Sequence, residues 1–438
     1  MRRGACQVPP IGARLHGASG PTTEAVSVQS RTVVGMEESP ARPSMSGAQW
    51  QHRVRAAQAL RERWVFPESD EDHERAQRWL ESVDQSAYVG ARHHTVPKFL
   101  LKRWADKTDH VRVYHRVEAR HGVENITDLA TRDFYTVINE DGSKSSAIES
   151  IMGRVENDAM PHIDGILDRF RRPAPLGVGA RLHLAQFAAF QSTRTARRRR
   201  EIELRAEWYA KTMAAGRVPQ DELASMTIVP HQNETIIAAA QSAEDLVPFF
   251  VCRPLAVVDL GIPLLYTCDE PVVLNAPDGE FHTPDCFLTD AEVEKRLERQ
   301  RRKVKKRRRD RTKVRGRTVH FSSTMPTGHG VADEILLAIS PSTALLWGPL
   351  ADVPQGGPVE RVRLSREEAT RFADMANEAM CSQALDWIIT RPADQAFLAR
   401  VFPPTAPLMR ACDGTNAASL AINEAPARFR PHRLWTPG

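Results

Sequence analysis

The stretch that most constrains this chain is His93–Trp104, HHTVPKFLLKRW. The ring of Pro97 fixes its own φ, and its clash with the residue before it pushes Val96 into an extended conformation. No helix can run through this point, and the amphipathic Phe-Leu-Leu-Lys-Arg-Trp segment must start a new, short one. The imidazole of His94 therefore sits on stiff backbone at a helix mouth, which suits a residue that must point at something.

The chain around this stretch alternates between two periods. His110–Val117, HVRVYHRV, sets Val111, Val113 and His115 against Arg112, Tyr114 and Arg116, the two-residue repeat of a half-buried strand. Residues 126–138 read as ending in a second strand, with a turn at Asp141-Gly142. Ser146–Phe170 reads as a long helix opened by a Ser146/Glu149 capping box, with Ile148, Ile151, Val155 and Ala159 as its apolar stripe. Glu149 and Glu156 lie seven apart on the shoulder of that stripe. A helix from about Ala180 turns Leu184, Phe187 and Ala188 inward, and the same face continues through Gln191 and Arg194. Buried polar groups need partners, so this pair marks a polar network. The ARRRRE run at 196–201 is expected to leave for solvent.

Residues 246–275 and 335–364 read as β-rich, with a tight corner at Cys268-Asp269-Glu270-Pro271. Ser365 and Glu368 cap a last helix running to about Ile389 and carrying Trp387. The expected architecture is α+β: helices packed with a β-hairpin-like N-terminal unit and a β-rich C-terminal half, on one core with a charged insertion. Its parts are an N-terminal extension at 1–47, disordered or translated from too early a start (Met36 and Met45 are alternatives), a helical preface at 48–90, a core at 91–390, a basic insert at 291–317 and a Pro-rich tail at 391–438 in which Phe429 and Trp435 could dock.

Composition excludes several classes. No run of eighteen apolar residues exists, so no membrane-spanning helix is expected. The six cysteines are scattered without a C-x-x-C pair, which argues against a zinc knuckle or disulfide framework and for a reducing, cytoplasmic setting. Arginine outnumbers lysine and alanine is abundant, the bias of a GC-rich bacterial genome. P-loop, Rossmann, nucleophile-elbow and H-E-x-x-H signatures are all missing. The net charge of +5 hides an asymmetry: Glu292–Arg317 holds 15 Lys/Arg against 4 Asp/Glu, a local balance of +11, which leaves −6 for the remainder. Such an insert is expected to contact nucleic acid through phosphates in a salt-sensitive way, and the alternative is a solvated loop.

HTVPKFLLKRW, then DFY at 133–135, IESIMGRVE at 148–156, QSTR at 191–194, CDEP at 268–271 and Asn377 form an ordered set. The set resembles the uncharacterised domain of unknown function 4238 family, over about 91–390 without the insert. Leu100 stands where that family usually has an aromatic and Cys268 where it usually has serine, and both read as packing variations. The family brings no established activity, so the resemblance implies relatives and candidate residues only.

His94, Glu149, Glu156, Gln191, Arg194 and Asp269 are the expected site. His94 with Glu149, Glu156 and Asp269 is a donor set suited to Mg²⁺ or Mn²⁺. A metal there could activate water against a phosphodiester while Arg194 stabilises developing charge, which makes the first expectation a metal-dependent nuclease or phosphoesterase. Without metal, a glutamate and His94 could act as an acid–base pair. The competing expectations are a non-catalytic nucleic-acid-binding or defence-associated protein using the insert, and a structural module whose polar set only locks the core.

Overall fold

A computed structural model describes residues 92–132, 134–139, 142–168, 176–275, 321–323, 328–330, 332–351, 355, 359–403, 405 and 409–411. The expected extension, helical preface and basic insert lie outside the described residues, as do Asp133, Asp141 and the tail aromatics. Within the described part the fold is α+β.

The opening stretch folds as its proline dictates. β1 (Arg92–His93) leads to Pro97 at φ −60°, ψ 143°, and α1 (Lys98–Leu101) starts at the next residue. Val96, Leu100, Leu101 and Trp104 are all buried, and the Trp104 indole donates to the Leu265 carbonyl at 2.8 Å. β2 (His110–His115) and β3 (Arg120–Asn125) form an antiparallel hairpin, with Val111 and Val113 inward. β4 (Thr131–Arg132) pairs back onto β1, and β5 (Val137–Ile138) pairs with β6 (Lys144–Ser145).

Helices follow: α2 (Ala147–Leu167), α3 (Val178–Thr193), α4 (Ala196–Ala214), α5 (Gln220–Ser225) and α6 (Gln232–Val251). α3 is the central one, packed on both α2 and α6. Then come β7 (Leu255–Asp259), β8 (Thr267–Cys268), β9 (Val272–Asn275), β10 (Phe321–Ser323), β11 (Glu334–Ser340), β12 (Thr343–Trp347), β13 (Glu360–Arg363), α7 (Arg366–Gln383), β14 (Trp387–Thr390) and β15 (Met409–Ala411). One sheet runs β13-β7-β12-β11-β9 and a second runs β3-β2-β14-β8, all antiparallel except β13 beside β7. One hydrophobic cluster joins the inner faces of both sheets to α1, α2, α3, α6 and α7. A satellite of Phe134, Tyr135 and Met152 sits beside it.

Several local expectations are corrected. The Ser146 capping box does not form: at φ −110°, ψ 19° the Ser146 side chain makes no cap bond, and Glu149 turns to His93 instead. Residues 246–251, read as β, are the last turns of α6, with Pro248 inside the helix. α7 ends at Gln383 rather than near Ile389, because the Asp269 carboxylate takes the next free amides, Leu385 N–H and Asp386 N–H, at 3.1 and 2.8 Å. Trp387 therefore lies on β14. Arg120–Asn125 is a strand that the periodicity did not single out. Ser365 and Glu368 do close a reciprocal capping box on α7.

The ARRRRE segment is the largest departure. Arg197, Arg199, Arg200 and Glu201 are buried. Carboxylates one turn further along α4 make this tolerable: Arg198 Nη1 reaches Glu201 at 3.0 Å, Arg200 Nη1 reaches Glu203 at 3.1 Å, and Glu207 pairs with Lys211 at 2.8 Å with neither exposed. Such i,i+3 and i,i+4 partners let a charged helix enter the interior.

Candidate functional site

The polar continuation of the α3 face closes on itself around Arg194. Its Nη1 donates to Glu156 Oε1 at 2.7 Å and its Nε to the Thr95 carbonyl at 2.9 Å. The Gln191 amide turns its oxygen to the guanidinium and accepts from Nε and Nη2 at 2.9 and 2.8 Å. The Tyr135 hydroxyl donates to the Arg194 carbonyl at 2.7 Å. Arg194 is 2% exposed, so the guanidinium end of each contact is shielded from water, which strengthens it. The adjoining cavity, bounded by Phe134, Tyr135, Met152, Arg194 and Arg199, has a volume of only about 10 Å³. That is room for about one water and too small for a substrate.

Glu149, one face round on α2, is placed differently. Its side chain is 41% exposed, yet Oε2 points inward to His93 Nε2 at 3.5 Å. Burial of that oxygen pushes the Glu149 carboxyl up to about 7, with nearby Arg194 opposing and Glu156 adding to the rise. His93 is held by β1 and is 1% exposed. Tyr135 N–H donates to its Nδ1 at 2.8 Å, so the neutral ring carries its proton on Nε2, aimed at Glu149. A buried imidazole of fixed tautomer thus stands 3.5 Å from a carboxyl at the protein surface. Sequence reasoning favoured its neighbour, and the signal that could have found His93 is strand alternation, which turns adjacent residues to opposite sides.

His94 Nε2 donates to the Ile126 carbonyl at 3.1 Å, which ties the opening turn to the following loop. Burial lowers its pKa to about 4, so the ring is neutral at physiological pH. Asp269, 1% exposed, spends both oxygens on the amides beyond α7 and lies at the corner where the chain leaves β8 in one sheet for β9 in the other. Desolvation and the nearby Asp386 carboxylate push its pKa up. The Cys268 thiol donates to the Glu270 carbonyl at 3.1 Å, as a serine hydroxyl would. Asn377 braces the same region by accepting from Tyr266 N–H at 2.8 Å and donating to the Leu264 carbonyl at 2.9 Å.

These placements bring together Glu149, Glu156, Gln191 and Arg194 and leave Asp269 at a separate, structural corner. Among the described residues no group of three or more His, Cys, Asp or Glu side chains is placed to hold a metal ion. The expected ligand set of His94, Glu149, Glu156 and Asp269 does not fit Mg²⁺ or Mn²⁺, because His94 serves a carbonyl, Glu156 serves Arg194 and Asp269 serves two amides.

A larger opening lies on the other side of the α3–α4 corner. This cleft, of about 330 Å³, is bounded by Arg197, Arg198, Glu201, Asp245 and Glu270, none of which the sequence singled out as a site residue. Thr193 borders both it and the small cavity by Arg194.

Residues 92–292 match the model of a family described as "Protein of unknown function (DUF4238)". No curated protein and no solved structure matches the chain. The match spans β1 to β9 and stops short of β11–β14, which complete both sheets. Over residues 92–292, a little under half of its length, the chain thus resembles the DUF4238 family.

Proposed function

We propose that this domain is a hydrolase of phosphodiesters in which Glu149 is the proton-transfer group. The observation that carries the reading is the Glu149 carboxyl itself, raised to about 7, reachable from solvent and 3.5 Å from His93 Nε2. A carboxyl poised near neutrality is populated in both forms at working pH, which favours a general base that can return its proton. In the ionised form it accepts a proton from an attacking water, and in the acid form it protonates the leaving oxygen. His93 steadies the ionised form. Gln191, Glu156 and Arg194 hold the helices that position this pair, and His94 keeps the β1–α1 turn in place. The basic insert at 291–317 supplies affinity for a polyanionic substrate.

The test is a screen of a chromogenic phosphodiester and of single- and double-stranded RNA and DNA, comparing wild type with Glu149→Gln. Loss of a proton-transfer group is expected to lower turnover about 10²–10⁴-fold. Equal rates in a folded variant would sink the assignment. Deletion of 291–317 is expected to weaken nucleic-acid binding and flatten its salt dependence while leaving turnover of the small diester intact.

A second reading, a structural module without catalysis, is favoured by Arg194, each of whose guanidinium nitrogens meets a protein acceptor. It requires wild type and Glu149→Gln to be equally inactive across the screen.

A further inference from the structure

We propose that the cleft beyond the α3–α4 corner is a binding site for a nucleoside monophosphate, a function separate from the chemistry assigned to Glu149. Its volume of about 330 Å³ far exceeds what a trapped water needs and falls at the lower end of small-ligand pockets, roughly 300–1,000 Å³. Two guanidiniums, Arg197 and Arg198, come from the first turn of α4, where the amide ends of the helix add positive potential. Glu201, 1% exposed, faces both from one turn on, at 3.7 Å from Arg197 Nε and 3.0 Å from Arg198 Nη1. The arginines are thereby held in place rather than swinging free, which lowers the entropy lost on gripping an anion.

The remaining walls are of other kinds. Glu270 is turned to the end of α4, where its Oε1 accepts from Arg197 N–H at 3.1 Å, and burial and the adjacent Asp269 raise its pKa. Burial beside Arg253 lowers the pKa of His329 to about 3, so that ring is neutral. From α6, Ser242 and Asp245 supply a hydroxyl and a carboxylate, and Leu246 of α6 with Leu274 of β9 supplies apolar surface. The cleft thus has a cationic pole on α4, an acceptor pole on α6 and an apolar stretch. A phosphomonoester at Arg197 and Arg198, ribose hydroxyls donating to Asp245, and a base against Leu246 and Leu274 match these three in kind. A bare phosphate would use one of them and a nucleoside the other two.

The full-length protein is titrated calorimetrically with each of the four ribonucleoside 5′-monophosphates, with inorganic phosphate and with uridine. At least one monophosphate is expected to bind about tenfold or more tighter than phosphate or uridine, a difference of about 1.4 kcal/mol. Arg198→Gln is expected to weaken monophosphate and phosphate alike, and Asp245→Asn to weaken only ligands with a ribose. Arg198→Lys, which keeps the charge without the fork, should lose less and serves if Arg198→Gln fails to fold. Glu149→Gln should bind as wild type does, so the outcome stands whether or not the hydrolase reading survives. Binding of phosphate as tight as that of every monophosphate, unchanged binding by folded Arg198→Gln, or no binding of any monophosphate would each overturn the proposal.

Discussion

Two faces of the same helix–helix corner use arginine in opposite ways. On one, Arg194 meets a carboxylate, a carboxamide and a carbonyl at 2.7–2.9 Å beside a cavity of about 10 Å³. On the other, Arg197 and Arg198 share Glu201 and face about 330 Å³ of open volume. The residues are three and four positions apart, so sequence distance does not separate a lock from a grip. The difference lies in the space beside them. Arg194 is ringed by fixed acceptors from α2, α3 and the Thr95 loop, whereas the pair on α4 meets Glu201 and, through Arg197 Nη1, the Gln383 carbonyl at 3.3 Å, and borders a cleft with room for an incoming anion.

The contrast can be broken most directly at Arg194. Arg194→Met is expected to lose about 3–5 kcal/mol of stability, because it strands Glu156, Gln191 and the Thr95 carbonyl with unmet polar groups. Chemical denaturation measures it, and a loss below about 1 kcal/mol would make this arginine no more of a lock than Arg198. Asp269→Asn comes next. It keeps one acceptor oxygen for two amides, so about 1–3 kcal/mol should be lost, with faster hydrogen exchange at Leu385 and Asp386.

Glu149 offers a pH test. Its carboxyl titrates higher in the fold than in the unfolded chain, so its favourable contribution is complete below about pH 4.5 and is lost as the pH rises through about 7. Wild type should therefore gain less stability than Glu149→Gln between pH 4.5 and 7. Any hydrolytic rate that depends on the carboxylate should rise across the same midpoint. A carbon-detected titration with its midpoint near 4.5 would remove the premise of both. Arg198→Gln should have the smallest effect on stability, about 0–1 kcal/mol, because Arg198 is 31% exposed and Glu201 keeps Arg197. A large loss there would show that the cleft, too, is a lock.

Much of the fold was legible where a local rule acts alone. Pro97 placed the start of α1, alternation placed β2, and Ser365 with Glu368 placed the start of α7. The polar continuation of the α3 stripe correctly marked Gln191 and Arg194 as residues that need partners. Legibility failed where a distant group decides. Asp269 ends α7 from more than a hundred positions away, and no local pattern in 384–390 announces it. Four consecutive arginines read as solvated because their burial depends on Glu201, Glu203 and what packs over them. His94 looked the better candidate of the two histidines, but β1 turns His93 inward and leaves His94 to a carbonyl. The cleft residues belong to no single motif, being drawn from α3, α4, α6, the inter-sheet corner, β9 and the loop before β11.

The corner at 268–271, where the chain steps from one sheet into the other, bears on how the molecule can be made. β2 must wait for β14, and β7 and β9 must wait for β12 and β11, before their edges are covered. Closing such distant pairs carries a loop-entropy penalty that precedes any reward, and exposed edges invite pairing with other chains meanwhile. A ribosome that has released only residues 92–292 has therefore produced neither sheet in finished form. The matched segment thus leaves these edges open, and β2 gains its second neighbour only with β14 at Trp387–Thr390.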